Sequence, residues 1–164
     1  MATAPGRLLV LSSVLDRLFD AAPGSAQEAP FESRFDLNRH KLAVARDLEA
    51  LLNARSLELD ETRSERFPLA GRSLLAYGIP DLSSLSLLNP EHRARLQDQI
   101  LQTIDRFEPR LAQVRVELDL PADSNRVLRF RVEAVLRIHP NQPPVVFDAV
   151  LKLSSNTCHV RSQS

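Results

Sequence analysis

Hydrophobic positions along this chain recur first with the period of a helix and then with a period of two. From Asp36 to Arg55, the apolar residues Leu37, Val44, Ala45, Leu48, Leu51 and Leu52 share one stripe, while Arg46, Asp47 and Glu49 lie largely off it. That spacing predicts an amphipathic helix, with Asp36 as its N-cap. A second helix starts at Asn89-Pro90-Glu91. Asn caps, Pro suits the first helical position, and Glu favours the positive end of the dipole. Leu96, Ile100, Ile104 and Phe107 then keep one face apolar.

Beyond Phe107 the period becomes that of a strand. Val114, Val116, Leu118 and Leu120 alternate with Arg115, Glu117 and Asp119. After a hairpin connection at 121–125, Leu128, Phe130, Val132, Ala134, Leu136 and Ile138 alternate with Arg129, Arg131, Glu133 and Arg137. A Pro-rich turn at 139–144 leads to Val145, Phe147, Ala149, Leu151 and Leu153, which alternate with Val146, Asp148, Val150 and Lys152. A short, weakly patterned fourth strand covers Thr157 to Arg161. The implied fold is α+β: N-terminal helices packed on one face of a C-terminal antiparallel meander of three to four strands. The other face is charged, and the weak last strand leaves an edge open to strand addition.

Upstream, Val10 to Asp20 reads as a short amphipathic helix, with Val14, Leu15 and Leu18 opposite Asp16, Arg17 and Asp20. Residues 21–35 hold prolines, a glycine and small or charged residues, and read as a mobile linker. The chain thus divides into an N-terminal helical segment (1–20), a flexible linker (21–35) and an α+β domain (36–164). Between the helices, Ser73 to Leu82 reads as a short helical turn stopped by Gly78, followed by an extended Ile79-Pro80.

Composition narrows the function. Twenty-one basic and 21 acidic residues give zero net charge, which argues against non-specific nucleic-acid binding. The single cysteine, Cys158, excludes an internal disulfide and a multi-thiolate zinc site. No apolar run reaches the roughly 20 residues that span a bilayer, and the N-terminus lacks a secretory pattern, so the expected place is the cytoplasm without direct membrane insertion. Four scattered glycines form no phosphate-cradling loop, and His40, His92, His139 and His159 show no ligand spacing. No cofactor, metal or small-molecule substrate is expected.

The remaining candidate is the corner Phe107-Glu108-Pro109-Arg110-Leu111, where the second helix meets the first strand. Proline excludes the helical conformation from the residue before it, so Glu108 is held extended at a rigid junction with Arg110 two residues on. As a glycosidase acid Glu108 has no convincing second carboxylate in the sequence, and Arg110 beside it favours the charged form. The pair reads either as a structural salt bridge closing the corner or as a binding node. The charged sheet face reads as a solvated surface with cross-strand pairs or as an interaction surface.

Four segments in order carry a resemblance. They are Ser13-Val14-Leu15-Asp16-Arg17-Leu18, Arg46-Asp47-Leu48-Glu49 with Leu51 to Arg55, Ser73 to Leu82, and Phe107-Glu108-Pro109-Arg110-Leu111. Together they resemble the baseplate wedge family of contractile injection machines, whose members include the TssE subunit of bacterial type VI secretion and its counterpart in contractile phage tails. Ala50 departs from the family, which commonly carries a bulky aromatic there. The resemblance implies a structural protein rather than an enzyme, although members have been labelled lysozyme-like. It implies binding to other wedge proteins (TssF and TssG) and to contractile sheath subunits, on the cytoplasmic side of the inner membrane. It implies protein-binding roles for Glu108, Pro109 and Arg110, and a docking role for Leu15 and Leu18. The competing readings are a peptidoglycan-cleaving enzyme and a soluble regulatory adaptor on the same fold.

Overall fold

The computed structural model describes residues 37–57, 65–70, 73–82, 85–119, 127–138, 142–152, 155 and 157–163. The N-terminal helical segment with Leu15 and Leu18, the linker, Asp36, Leu120, Leu153 and His139 lie outside the described residues.

Among the described residues, two α-helices and a short 3₁₀ turn precede a four-stranded sheet. Helix α1 is Leu37–Asn53, helix α2 is Pro90–Phe107, and the strands are β1 Leu111–Asp119, β2 Val127–Leu136, β3 Pro144–Lys152 and β4 Thr157–Ser162. All neighbours are antiparallel, in the order β1-β2-β3-β4. The expected α+β architecture holds, and the weakly patterned last strand is a full member of the sheet.

The periodicities translate directly into burial. On α1, Val44, Ala45, Leu48, Leu51 and Leu52 are buried; on α2, Leu96, Ile100 and Ile104 are. All of these except Leu51 share one core with Leu128, Phe130, Val132, Phe147, Ala149 and Leu151 from the inner sheet face. Each of the Leu, Ile, Val and Phe side chains among them contributes about 1.5–3 kcal/mol by leaving water. Ala50 is exposed, so the departure from a bulky aromatic leaves the core intact. The start of α2 is capped as the sequence predicts: the Asn89 side chain accepts from the Glu91 amide at 2.9 Å, and Pro90 opens the helix.

Strand β1 departs from simple alternation. It begins at Leu111, three residues before the alternating run, and Leu111 and Val116 are both buried despite their odd separation. A bulge reconciles them. Ala112 pairs with Val135 and Arg115 with Glu133, so Gln113 and Val114 oppose the single residue Ala134. Gln113 takes φ 54° to make it.

The edge at β4 is not open, which corrects the expectation for the last strand. Asn53 on α1 receives the Cys158 amide at 2.8 Å and donates to the Cys158 carbonyl at 2.9 Å. One helical turn earlier, Glu49 accepts the Val160 amide at 2.8 Å. Two polar side chains spaced i, i+4 on α1 thereby cover alternate backbone groups of β4. An edge strand is an aggregation hazard unless something covers it, and here the neighbouring helix does so. On the opposite edge α2 contributes one such contact, Gln97 to the Val116 carbonyl at 2.6 Å.

Candidate functional site

The corner between α2 and β1 begins with a helix end. The Glu108 amide bonds the Ile104 carbonyl at 2.9 Å and completes α2, with Glu108 as C-cap at φ −117° and ψ 79°. Pro109 follows, and the Leu111 amide returns to the Glu108 carbonyl at 3.1 Å, closing a tight turn. The Arg110 carbonyl accepts the Arg137 amide at 2.8 Å, which ties the turn to the end of β2.

Within this frame Glu108 and Arg110 face each other. The Arg110 backbone amide and Nε donate to one Glu108 carboxylate oxygen at 3.1 and 2.7 Å, and its terminal guanidinium nitrogen reaches the other oxygen. That same nitrogen donates to Asp47 on α1 at 2.7 Å. Glu108 is the one buried charged residue among the described residues. Burying a carboxylate without partners costs several kcal/mol, and three donors from one residue meet that cost. The Glu108 hydrogen bond, set against burial and helped by Asp47, pushes the Arg110 guanidinium further above its already high range.

Asp47 is the member that sequence reading passed over. It was placed largely off the apolar stripe of α1. Yet it sits i+3 from Val44 and i−4 from Leu51, both buried, so it lies along the edge of that stripe. Its two carboxylate oxygens take different cations: Arg46, the preceding residue on α1, pairs with one at 2.9 Å, and Arg110 reaches the other from 63 residues away in sequence.

The segment from Ser73 to Leu82 completes the corner. Leu74–Ala76 forms a 3₁₀ turn capped by the Ser73 hydroxyl. Gly78 stands at φ 106°, and a Cβ there would run into the Ala54 carbonyl, so the close approach of this segment to the end of α1 requires glycine. A parallel bridge between Arg55 and Ile79 follows, with the Ile79 amide on Ala54 and the Ser56 amide on Ile79, both at 3.2 Å. Locked in this way, Tyr77 packs edge-on to Phe107 with ring centroids 5.3 Å apart. Burial, then the charges of Asp47 and Glu108, raise the Tyr77 hydroxyl above its ordinary range. Three of the four family-like segments thus converge on one corner: Asp47 from the first helix, Tyr77 from the loop, and Phe107, Glu108 and Arg110 from the junction.

The other candidates do not join it. Cys158 is buried on the inner side of β4, where desolvation and Glu49 push its thiol up to about 12. His159 is exposed and lies 3.7 Å from Glu49, and His92 accepts the Ser86 amide at 3.0 Å. Among the described residues no group of three or more His, Cys, Asp or Glu could hold a metal ion.

The chemistry available at the corner is mechanical. The Glu108 carboxylate is sequestered by Arg110 rather than presented to a substrate, and the charged groups lock two helices and a sheet in fixed relation. These features make the corner a rigid junction between the helices and the sheet. A family model described as Baseplate wedge protein gp25 matches residues 38–141, well over half of the chain, and the chain belongs to that family of structural baseplate proteins. No curated protein and no solved structure matches it. Among the described residues no helix is long and apolar enough to cross a membrane.

Proposed function

We propose that this chain is the wedge subunit of a type VI secretion machine, in the position that TssE holds. There it binds the other wedge proteins, TssF and TssG, and starts assembly of the contractile sheath on the cytoplasmic side of the inner membrane. Membership of the baseplate wedge gp25 family carries this reading. The geometry supports it: a subunit that must hold a ring of sheath until contraction needs a rigid corner, and the Glu108–Arg110–Asp47 cluster is one. Glu108 and Arg110, fixed by Pro109, form the assembly node, because Arg110 keeps part of its side chain exposed while holding both carboxylates. Leu15 and Leu18 dock a partner across the linker.

Co-purification tests the reading. The wild-type chain is expected to recover TssF and TssG and to support sheath polymerisation. Glu108→Ala and Arg110→Ala, assayed at a temperature where melting curves show them folded, are expected to lose both. Folded variants that keep full wedge binding and sheath assembly defeat the assigned role.

A further inference from the structure

The outer face of the sheet carries charges that the fold itself leaves open. Strand register arranges them in rows. One row crosses all four strands as Glu117, Arg131, Asp148 and Arg161; the next reads Asp119, Arg129, Val150 and His159; a third reads Arg115, Glu133 and Val146. Opposite charges therefore stand side by side at several places. Among the described residues only Arg131 and Asp148 close into an ion pair within this face, at 3.1 Å. Glu117, Asp119, Arg129 and Arg161 are exposed and make none. Over them runs a groove of about 830 Å³, lined by Glu117, Asp119, Arg129, Arg131, Asp148 and Arg161.

We infer that this face docks on the same face of a second copy of the chain, about a two-fold axis parallel to the strands between β2 and β3. Charge complementarity selects that occupant. The axis sets β1 over β4 of the second copy and β2 over its β3, row on row. Glu117 then meets Arg161, Arg131 meets Asp148 and Asp119 meets His159. Arg129 lays its aliphatic stem over Val150, Glu133 covers Val146, and no like charges are opposed. Sheets pack about 10 Å apart. The long arginines of each copy cross that gap into the groove of the other.

Area sets the strength. Four strands and three rows cover roughly 19 by 20 Å at ordinary strand spacings. Each copy therefore contributes roughly 400 Å², about half of the ~800 Å² per partner in a standard stable complex. The dimer is weak, dissociates on dilution and weakens with salt.

Glu117 and Arg161 make the decisive test, because they lie on opposite edge strands of one sheet and pair only between copies. Sedimentation velocity of the full chain at roughly 50 mM salt is expected to show a monomer–dimer equilibrium. Glu117→Arg alone and Arg161→Glu alone should each weaken it at least ~tenfold, since each opposes like charges twice. Mixing the two variants should restore association, because both contacts of the mixed dimer become Arg against Glu. Both positions are exposed, and unchanged melting temperatures verify folding. A wild-type chain that stays monomeric, or single variants that associate like wild type, overturns the proposal. So does a mixture that stays as weak as its components.

Discussion

The α2–β1 corner and the outer sheet face use the same residue types and put them to opposite ends. At the corner, the Arg110 and Glu108 side chains retain 24% and 5% of their exposure, and Arg110 gathers both Glu108 and Asp47. On the outer face, Arg131 and Asp148 retain 49% and 46% and make one exposed pair. Register alone does not create an interaction: Glu117 lies directly opposite Arg131, yet no bond closes between them. Burial makes the difference. In water a pair of long charged side chains gains little by meeting, whereas a desolvated carboxylate gains much.

The sharpest way to break this contrast is Arg110→Ala. It leaves Glu108 buried without its cation and sets Asp47 beside it, and removing one partner of a buried pair costs about 3–5 kcal/mol. Urea unfolding should show a fall of that size with an unchanged slope. A loss below about 1 kcal/mol, the range of exposed pairs, would place the corner in the same class as the outer face.

Gly78→Ala attacks the corner from the loop. The substitution meets both a positive φ and the Ala54 carbonyl, for an expected loss of about 2–3 kcal/mol. It also has a spectroscopic signature, because Tyr77 is the only tyrosine. Folded Tyr77 holds its proton past the pH at which the unfolded chain loses it. Its contribution to stability is therefore complete below about pH 10 and is lost as pH rises through and above that value. In Gly78→Ala the loop lifts and tyrosinate absorbance should appear at lower pH than in wild type. If the tyrosine titration does not move, Gly78 does not hold Tyr77 against the corner.

These two positions show how much was legible in sequence. The helices, the sheet and its inner face followed from periodicity, because burial on one side imposes period 3.6 or 2 whatever the partner. Pro109 marked the corner, since a proline restricts its neighbour without reference to anything distant. Asp47 did not announce itself: an acid at the edge of an apolar stripe, beside Arg46 on its own helix, looks like a surface pair until Arg110 reaches it from another element. The bulge at Gln113 and Val114 was hidden for a related reason. It shifts the phase of β1 by one residue, and only the pairing with Ala134 reveals where. The capping of β4 by Glu49 and Asn53 likewise depends on which helix lies beside that edge, so the open edge inferred from a weak strand pattern did not survive. Leu15 and Leu18 lie outside the described residues, and their role stands on the resemblance.

Asn53→Ala probes an intermediate case, a neutral polar group at the helix surface that is hydrogen-bonded to a strand edge. It strands the amide and carbonyl of Cys158, and each lost hydrogen bond contributes about 0.5–1.5 kcal/mol. A total loss of about 1–2 kcal/mol is expected, between the corner and the open face. Hydrogen exchange should speed up at Cys158 but not at the central strand β2. Equal protection at Cys158 in both proteins would mean that the edge is shielded by packing and not by Asn53.

The smallest effect belongs to the outer face. A double-mutant cycle on Arg131→Ala and Asp148→Ala measures their coupling with each single cost subtracted. With both side chains nearly half exposed, the coupling should not exceed about 0.5 kcal/mol and should vanish in high salt. Asp148 also accepts from Gln163, and together the Gln163 and Arg131 contacts hold its carboxyl below the usual range. Arg131→Ala therefore leaves Asp148 one partner, and that too keeps the single cost small. The cycle must be run at protein concentrations low enough to dissociate any dimer, because Arg131 and Asp148 would otherwise be counted again between copies. A coupling above about 1 kcal/mol in dilute solution, beyond the range of exposed pairs, would show that the outer face is pre-organised like the corner. The contrast between the two regions would then come from geometry rather than from burial.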